Sequence, residues 1–237
     1  MDLKETEILG DGIADHWYYS SKAKMLETVI SPISKTKILD IGAGSAFFSK
    51  YLLQNTSAQE CMCLDISYPS NSQTTLDGKP IYFCKESEPY NADLVLLMDV
   101  LEHIPDDISF LKMFVEQLPA GTNFLITVPA FQFLWSGHDV FLEHQRRYTL
   151  KGLVDVVQQC GLIPQKQFYF YGLVFPLAVI TRLADRLSDQ NQEPQSKLIK
   201  HHPLMNWLLK KICAMELHFM SLNRLAGLSV VCLAKKP

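Results

Sequence analysis

Lys37-Ile38-Leu39-Asp40-Ile41-Gly42-Ala43-Gly44-Ser45-Ala46-Phe47-Phe48 is the stretch that decides the fold. Lys37 to Ile41 is a short apolar run that stops at a glycine, the pattern of a buried strand. The two glycines permit a tight turn and let a ligand approach the backbone. A helix expected from Ser45 to Gln54 would offer its free N–H groups at the same place. A lone G-x-G also fits a purely structural turn, so its surroundings carry the weight. Asp65 ends a second expected strand, Cys61 to Leu64, about 20 residues on, where an acid can hold ribose hydroxyls.

Outward from this stretch the chain alternates. Further strands are expected at Ile81 to Cys84, Asp93 to Met98 and Asn123 to Val128, with helices at His16 to Ile30, Pro105 to Leu118 and from the cap Thr149 to Gly161. The run Ala92-Asp93-Leu94-Val95-Leu96-Leu97-Met98 has the continuous apolar character of a strand buried on both faces. Strand–helix alternation of this kind argues for an α/β, doubly wound, mainly parallel sheet. Two last strands, Gln165 to Tyr171 and Leu228 to Ala234, bring the expected count to seven. Residues 172–227 between them read as a helical insertion, with helices over Leu173 to Leu187 and Leu204 to Arg224 and a polar stretch, Ser188 to Gln195, between. The length, 237 residues, suits one such domain, 1–237, carrying that insertion.

Composition narrows the class. Nearly half the residues are apolar and the net charge is −3, so a sizeable core is expected and nucleic-acid binding is not favoured globally. Ten basic and four acidic residues lie from Lys166 onward, against 12 and 21 before it. The acidity of residues 1–165 argues against DNA and RNA as partners, since phosphate binding needs a basic face. None of the six cysteines makes a CxxC pair or a zinc spacing, which fits a reducing, cytoplasmic compartment. Met1 to Asp11 is polar and acidic, unlike a signal peptide.

Two ligands fit the glycine turn, a nicotinamide dinucleotide and a sulfonium cofactor. Phe47 stands where a dinucleotide fingerprint has its third glycine. Asp40 stands two residues before Gly42, where a carboxylate would repel a pyrophosphate and suit a cationic sulfonium. The stretch Met98-Asp99-Val100-Leu101-Glu102-His103-Ile104-Pro105 follows the fourth expected strand.

Together, ILDIGAGSAFF, CLDIS and ADLVLLMDVLEHIPDD resemble the class I S-adenosylmethionine-dependent methyltransferases, in particular the branch with a D/E-V-L-E-H motif that includes quinone-ring O-methyltransferases. The segment from Phe124 to Leu162 and the opening HWYYSSKAKML resemble the same branch. The resemblance covers about residues 15–170 and returns for the last strand. It implies S-adenosyl-L-methionine as cofactor, with Gly42 and Gly44 along its methionine moiety, Asp40 near its amino group, and Asp65 with Ile66 at the ribose. It further implies Lys85 and Glu86 near the adenine, Met98 and Asp99 beside the sulfonium, and Trp17 and Tyr18 over the cofactor. An Asp is common in the family where Lys85 and Glu86 stand, and core packing is an equal reading of the two aromatics.

Transfer to an oxygen needs a base, most often His. His103, with Glu102 before it, and His144 lie near strand ends and are the catalytic candidates, with His138 nearby; a helix-capping role for Glu102 and His103 is the alternative. No metal is assigned, although Asp99, Glu102, His103 and His144 resemble the ligand set of small-RNA 3′-end 2′-O-methyltransferases, which have Glu at the position of Asp99. Arg146-Arg147-Tyr148 suggests an anion clamp for the acceptor, or else a salt bridge that fixes the loop.

The expected function is methyl transfer to an oxygen of a small or lipid-like acceptor. Its rivals are a metal-dependent RNA 2′-O-methyltransferase, a nicotinamide-dependent oxidoreductase and a non-catalytic S-adenosylmethionine-binding protein. Phe168 to Ile180 carries no charge but is too short to span a bilayer. The basic, apolar-faced region 172–227 is read as a cap on the domain, with a dimer face or a peripheral membrane contact as alternatives.

Overall fold

A computed structural model describes residues 9–33, 35–86, 88, 90–188 and 202–237. Most of Met1 to Asp11 and most of the polar stretch Ser188 to Gln195 lie outside the described residues. The elements are α1 (Trp17–Ile30), β1 (Lys37–Ile41), α2 (Phe47–Asn55), β2 (Glu60–Leu64), β3 (Ser72–Leu76), β4 (Lys79–Cys84), β5 (Leu94–Met98), α3 (Asp107–Gln117), β6 (Asn123–Pro129), α4 (Gly137–Phe141), α5 (Leu150–Gln159), β7 (Ile163–Phe170), α6 (Phe175–Ser188), α7 (Pro203–Glu216) and β8 (Ser229–Lys235).

One sheet holds eight strands in the order β3-β4-β2-β1-β5-β6-β8-β7, against seven expected. The extra strand is β3, antiparallel to β4. Its turn is Asp77-Gly78, both with positive φ, 53° and 78°, the backbone that a two-residue hairpin needs and that Asp-Gly signals. From β4 to β6 the strands are parallel. The strand β8 runs antiparallel to both of its neighbours, β6 and β7.

Every residue of β5 is buried. Its alternate side chains feed two cores: Leu94, Leu96 and Met98 pack on the side of α1 and α2, and Val95 and Leu97 on the side of α3 and α5. Each fully buried side chain of this size contributes roughly 1.5–3 kcal/mol, which is why a five-residue strand can anchor the sheet. All six cysteines are buried and free. Between β7 and β8 stand α6 and α7; the latter ends at Glu216, earlier than the expected Arg224, and a single 3₁₀ turn, Met220–Leu222, follows.

The chain turns to opposite sides of β1, with β2 on one side and β5 on the other. Ligands of such sheets bind at the carboxyl ends of the strands at this switch. The loops that meet there begin at Gly42 and Asp99.

Candidate functional site

The end of β1 is shaped by its glycines. Gly42 adopts φ +69°, and a Cβ there would lie 2.8 Å from Val100 Cγ2. Gly42→Ala is therefore expected to destabilise the fold by roughly 1–3 kcal/mol, since it adds a clash to a strained φ. Thermal melting and S-adenosylhomocysteine affinity check this, and an unchanged melting temperature would contradict it.

Asp65, at the end of β2, ties the loop in place. Its Oδ2 accepts from the Gly44 N–H at 2.8 Å and its Oδ1 from the Ser67 N–H at 2.9 Å and the Ser67 hydroxyl. Burial would raise its pKa, but the hydrogen bonds from Ser67 and Gly44 hold it below the usual carboxylate range. Ile66 beside it is 87% exposed. Asp40 is buried in the end of β1 and accepts from the Ser49 hydroxyl of α2 at 2.6 Å. Lys85 and Glu86 stand exposed after β4, with the Lys85 N–H donating to Asn71 Oδ1.

A cavity of about 220 Å³ opens between the ends of β5, β6 and β8 and the helices α1, α4 and α6. Its lining brings together Trp17, Tyr18, Met98, Asp99, Glu102, His103 and His144 from the expected set. Asp40, Gly42, Gly44, Asp65, Ile66, Lys85 and Glu86 do not line it.

Asp99 leaves β5 at φ +55°, a conformation that Asp tolerates better than most residues. Its carboxylate meets Lys22 Nζ in an ion pair, accepts from the Tyr18 hydroxyl at 3.2 Å, and takes a 3.0 Å bond from Thr127 Oγ1. Lys22 is fully buried. Burial alone would lower the Lys22 pKa, but Asp99 and Tyr18 override it and hold the ammonium charged. Burial would likewise raise Asp99, and Lys22 and Thr127 pull it below the usual range. The aromatic cover is continuous: Tyr18 stacks on Tyr171 at 5.1 Å, and the Tyr171 hydroxyl donates to the Tyr18 carbonyl at 2.6 Å.

Glu102 and His103 form a 3₁₀ turn, Leu101–His103. The Glu102 side chain is wholly buried, and neither carboxyl oxygen has a hydrogen-bond partner among the described residues. Burial first, then the nearby charge of Asp99, pushes its pKa well above the ordinary value. The rings of His103 and His144 meet edge to face with centroids 4.6 Å apart. One ligand atom each of Glu102, His103 and His144 lies within 4.8 Å of the others. Asp99 is not in this group; its carboxylate is paired with Lys22.

His144 is oriented by a buried acid. Its Nδ1 lies 3.0 Å from Asp139 Oδ1. Burial would raise Asp139, but bonds from His144 and Arg147 hold it well below the usual range. An ionised carboxylate only accepts, so Nδ1 carries the proton and Nε2 of a neutral His144 is the basic nitrogen. The expected anion clamp at Arg146 and Arg147 is not formed. Arg147 forks onto Asp139 at 2.7 and 3.1 Å and donates to the Ala130 carbonyl. Arg146 pairs with Asp107 at 3.1 Å and donates to the Pro105 carbonyl at 2.6 Å. These arginines fix the loop after β6, the alternative reading of the motif.

The profile of a family described as a methyltransferase domain matches residues 16–166. The chain belongs to that family. It is an S-adenosylmethionine-dependent methyltransferase. No curated protein sequence matches it. Its fold is similar to three solved methyltransferase structures of low sequence identity. One is phosphoethanolamine N-methyltransferase 2 of Haemonchus contortus with S-adenosyl-L-methionine, at TM-score 0.58 and 14% identity over 98% of this chain and 56% of that one. Another is a SAM-dependent methyltransferase of Archaeoglobus fulgidus, at TM-score 0.56 and 14% identity over 99% and 98%. The third is the N-methyltransferase NodS of Bradyrhizobium japonicum WM9 with S-adenosyl-l-homocysteine, at TM-score 0.53 and 12% identity over 97% and 90%.

Lys22, Thr127, Asp139, Tyr171 and Arg182 stand in or behind the cavity wall and were not among the candidate site residues that the sequence offered. Lys22 left a trace: it sits one turn after Tyr18 on the buried side of α1, where an apolar residue is the rule. On the outer side of α6, Leu177, Ile180 and Leu183 are exposed. Among the described residues no helix is long and apolar enough to cross a membrane.

Proposed function

We propose that this methyltransferase methylates an oxygen of a small or lipid-like acceptor, with His144 as the general base. The observation that carries the reading is the Asp139–His144 contact, which leaves Nε2 as the basic nitrogen of a ring that lines the cavity. The strand ends fit the cofactor: the turn at Gly42 has no room for a side chain, and the ionised Asp65 stands at the end of β2, where an acid can accept from ribose hydroxyls. In this reading Gly42, Gly44, Asp40, Asp65 and Ile66 hold the methionine and ribose parts, Lys85 and Glu86 flank the adenine, and Met98, Asp99, Trp17 and Tyr18 enclose the sulfonium.

S-adenosylmethionine supplies an electrophilic methyl carbon and a neutral thioether leaving group. The chain supplies position and a proton acceptor. His144 Nε2 takes the proton of the acceptor hydroxyl as that oxygen attacks, and the ionised Asp139 stabilises the imidazolium that forms. Trp17, Tyr18 and Tyr171 keep water from the reacting atoms. The helix α6 closes the cavity through Ala178, which supports a cap role for residues 172–227.

Tritiated methyl transfer from labelled cofactor into a host-cell extract, separated into lipid, small-molecule and RNA fractions, tests this reading. Label in the lipid or small-molecule fraction, at an oxygen, is expected. Label confined to RNA, or none in any fraction, would overturn it.

A second reading has one specific observation in its favour, the unpartnered carboxyl of Glu102. A buried polar group without a partner is costly, and a divalent cation held by Glu102, His103 and His144 would satisfy it; carboxylate and imidazole are ligands that suit magnesium or manganese. The two readings separate by pH and by EDTA. A carboxyl whose folded pKa lies above its unfolded value stabilises the fold below the unfolded pKa, and that contribution fades as pH rises through the folded pKa. Without metal, Glu102→Gln is therefore expected to remove part of the wild type's loss of stability above about pH 4.5. With metal, wild type gains melting temperature on adding magnesium or manganese and Glu102→Gln does not. Transfer unchanged by EDTA, with no metal-dependent shift in melting, would dismiss the cation.

A further inference from the structure

The helix α7 is apolar on two faces. On its inner face Leu209, Cys213 and Glu216 are buried, and Leu209 and Cys213 pack into the core that α1 helps to form. Its outer face is Leu204, Trp207, Leu208, Lys211 and Met215, at the i, i+3, i+4, i+7, i+11 spacing of one helical stripe. Leu204, Trp207, Leu208 and Met215 are 67%, 55%, 45% and 55% exposed. A helix that is apolar all round is normally covered all round, and apolar side chains exposed together mark a contact surface.

The charge on this face has one sign. Lys211 stands in the middle of the stripe, with Nζ 5.8 Å from the centre of the Trp207 ring. Lys210 is engaged by Asp15 at 3.2 Å, and Lys211 is the cation of the stripe itself. Between His202 and Leu225 the only acid is Glu216, which is buried and accepts from the Gly172 and Leu173 N–H groups at 2.7 and 3.3 Å. From Lys166 onward ten basic residues stand against four acidic ones.

A second copy fits this face poorly. Two identical faces meeting across a two-fold axis would set the mid-stripe Lys211 near its own counterpart, with no exposed acid on the stripe to offset either. A membrane-spanning role is excluded by length, since α7 has 14 residues and a bilayer core takes about 20. We propose that the outer face of α7 rests on the surface of an anionic phospholipid bilayer. A tryptophan and a lysine side by side suit that surface. The ring lies at headgroup depth, and the lysine stem runs along it while the ammonium meets the lipid charges. The contact needs no cofactor and does not depend on which acceptor is methylated. Asn206 Oδ1 of α7 accepts from the Trp17 N–H at 2.8 Å, and Trp17 lines the cavity, so docking would set the site one helix away from the lipid.

Co-sedimentation of the full chain with phosphatidylcholine vesicles, plain or with about one-third phosphatidylserine, tests the inference. Wild type is expected to bind the mixed vesicles about tenfold or more tightly than the plain ones, and to lose that gain in high salt. Lys211→Glu and Trp207→Ser are each expected to weaken binding to mixed vesicles by about tenfold. Their melting temperature and S-adenosylhomocysteine affinity are expected to match wild type, because both side chains are exposed. Brominated acyl chains in the mixed vesicles are expected to quench tryptophan fluorescence in wild type, and Trp207→Phe to keep the binding but lose the quenching. No sedimentation with mixed vesicles, equal binding to plain ones, binding that survives both Lys211→Glu and Trp207→Ser, or quenching that persists in Trp207→Phe would overturn the inference. So would a wild-type dimer in analytical ultracentrifugation that Trp207→Ser converts to monomer, which would assign the face to a second copy.

Discussion

Replacing Lys22 with methionine is expected to lower the melting temperature by roughly 10 °C, as removing one partner of a buried ion pair costs about 3–5 kcal/mol and each kcal/mol moves a protein of this size by about 2–4 °C. The effect arises because Asp99, whose side chain is 29% exposed, would keep its charge in the cavity wall after its ammonium partner has gone. Lys22 is fully buried and Asp99 has already left the favoured backbone region, so neither can relax cheaply. The double variant Lys22→Met, Asp99→Asn is expected to recover more than half of the loss, because the buried charge is gone with its partner. Differential scanning calorimetry of the two singles and the double checks this. A Lys22→Met shift below about 2 °C, or a double variant no better than the single, would show that the pair does not hold α1 against β5.

His144→Gln is expected to reduce methyl transfer by about 10²- to 10⁴-fold, the range over which positioned general bases act. Glutamine can still donate to Asp139 and so keeps the frame in which Arg147 and the Ser136 N–H, 2.9 Å from Asp139 Oδ2, hold that carboxylate, but it cannot accept a proton at pH 7. S-adenosylhomocysteine affinity and melting temperature are expected to stay near wild type, which separates loss of a base from loss of the site. Rates are read as label transferred per unit of enzyme into whichever fraction the wild type labels. A variant within a few-fold of wild type would remove His144 from the chemistry and leave positioning alone as the source of the rate.

The legible parts of this molecule were those that lie close together along the chain. The turn from Asp40 to Gly44, the acid at Asp65 and the apolar run into Met98 each sit within one strand–loop unit, and their places at the ends of β1, β2 and β5 follow from local pattern. The outer strand of the hairpin Ser72–Cys84 was missed although Asp77-Gly78 signals such a turn, because that strand is polar and at the sheet edge and lacks the apolar signature of the buried strands. The pairing of Lys22 with Asp99 spans 77 positions and is set by how α1 docks, which periodicity does not report. Arg146 and Arg147 looked like a clamp because sequence shows charges without their partners; Asp107 and Asp139 take them up only in three dimensions. Arg182 was hidden for the opposite reason. A charged residue in an amphipathic helix is assigned to solvent by default, and only the packing of α6 turns it toward the cavity.

The position of β8 between β6 and β7 has a bearing on how the molecule is made. As the last strand in chain order it is threaded into a sheet whose other seven members precede it. Until it emerges from the ribosome, β6 and β7 each present an open ladder of unpaired N–H and C=O groups, a state prone to mispairing with other chains. Leu228 and Ser229, where this strand begins, also line the cavity. A nascent chain can therefore shape its glycine turn long before the cavity is walled in, since that wall waits for β8.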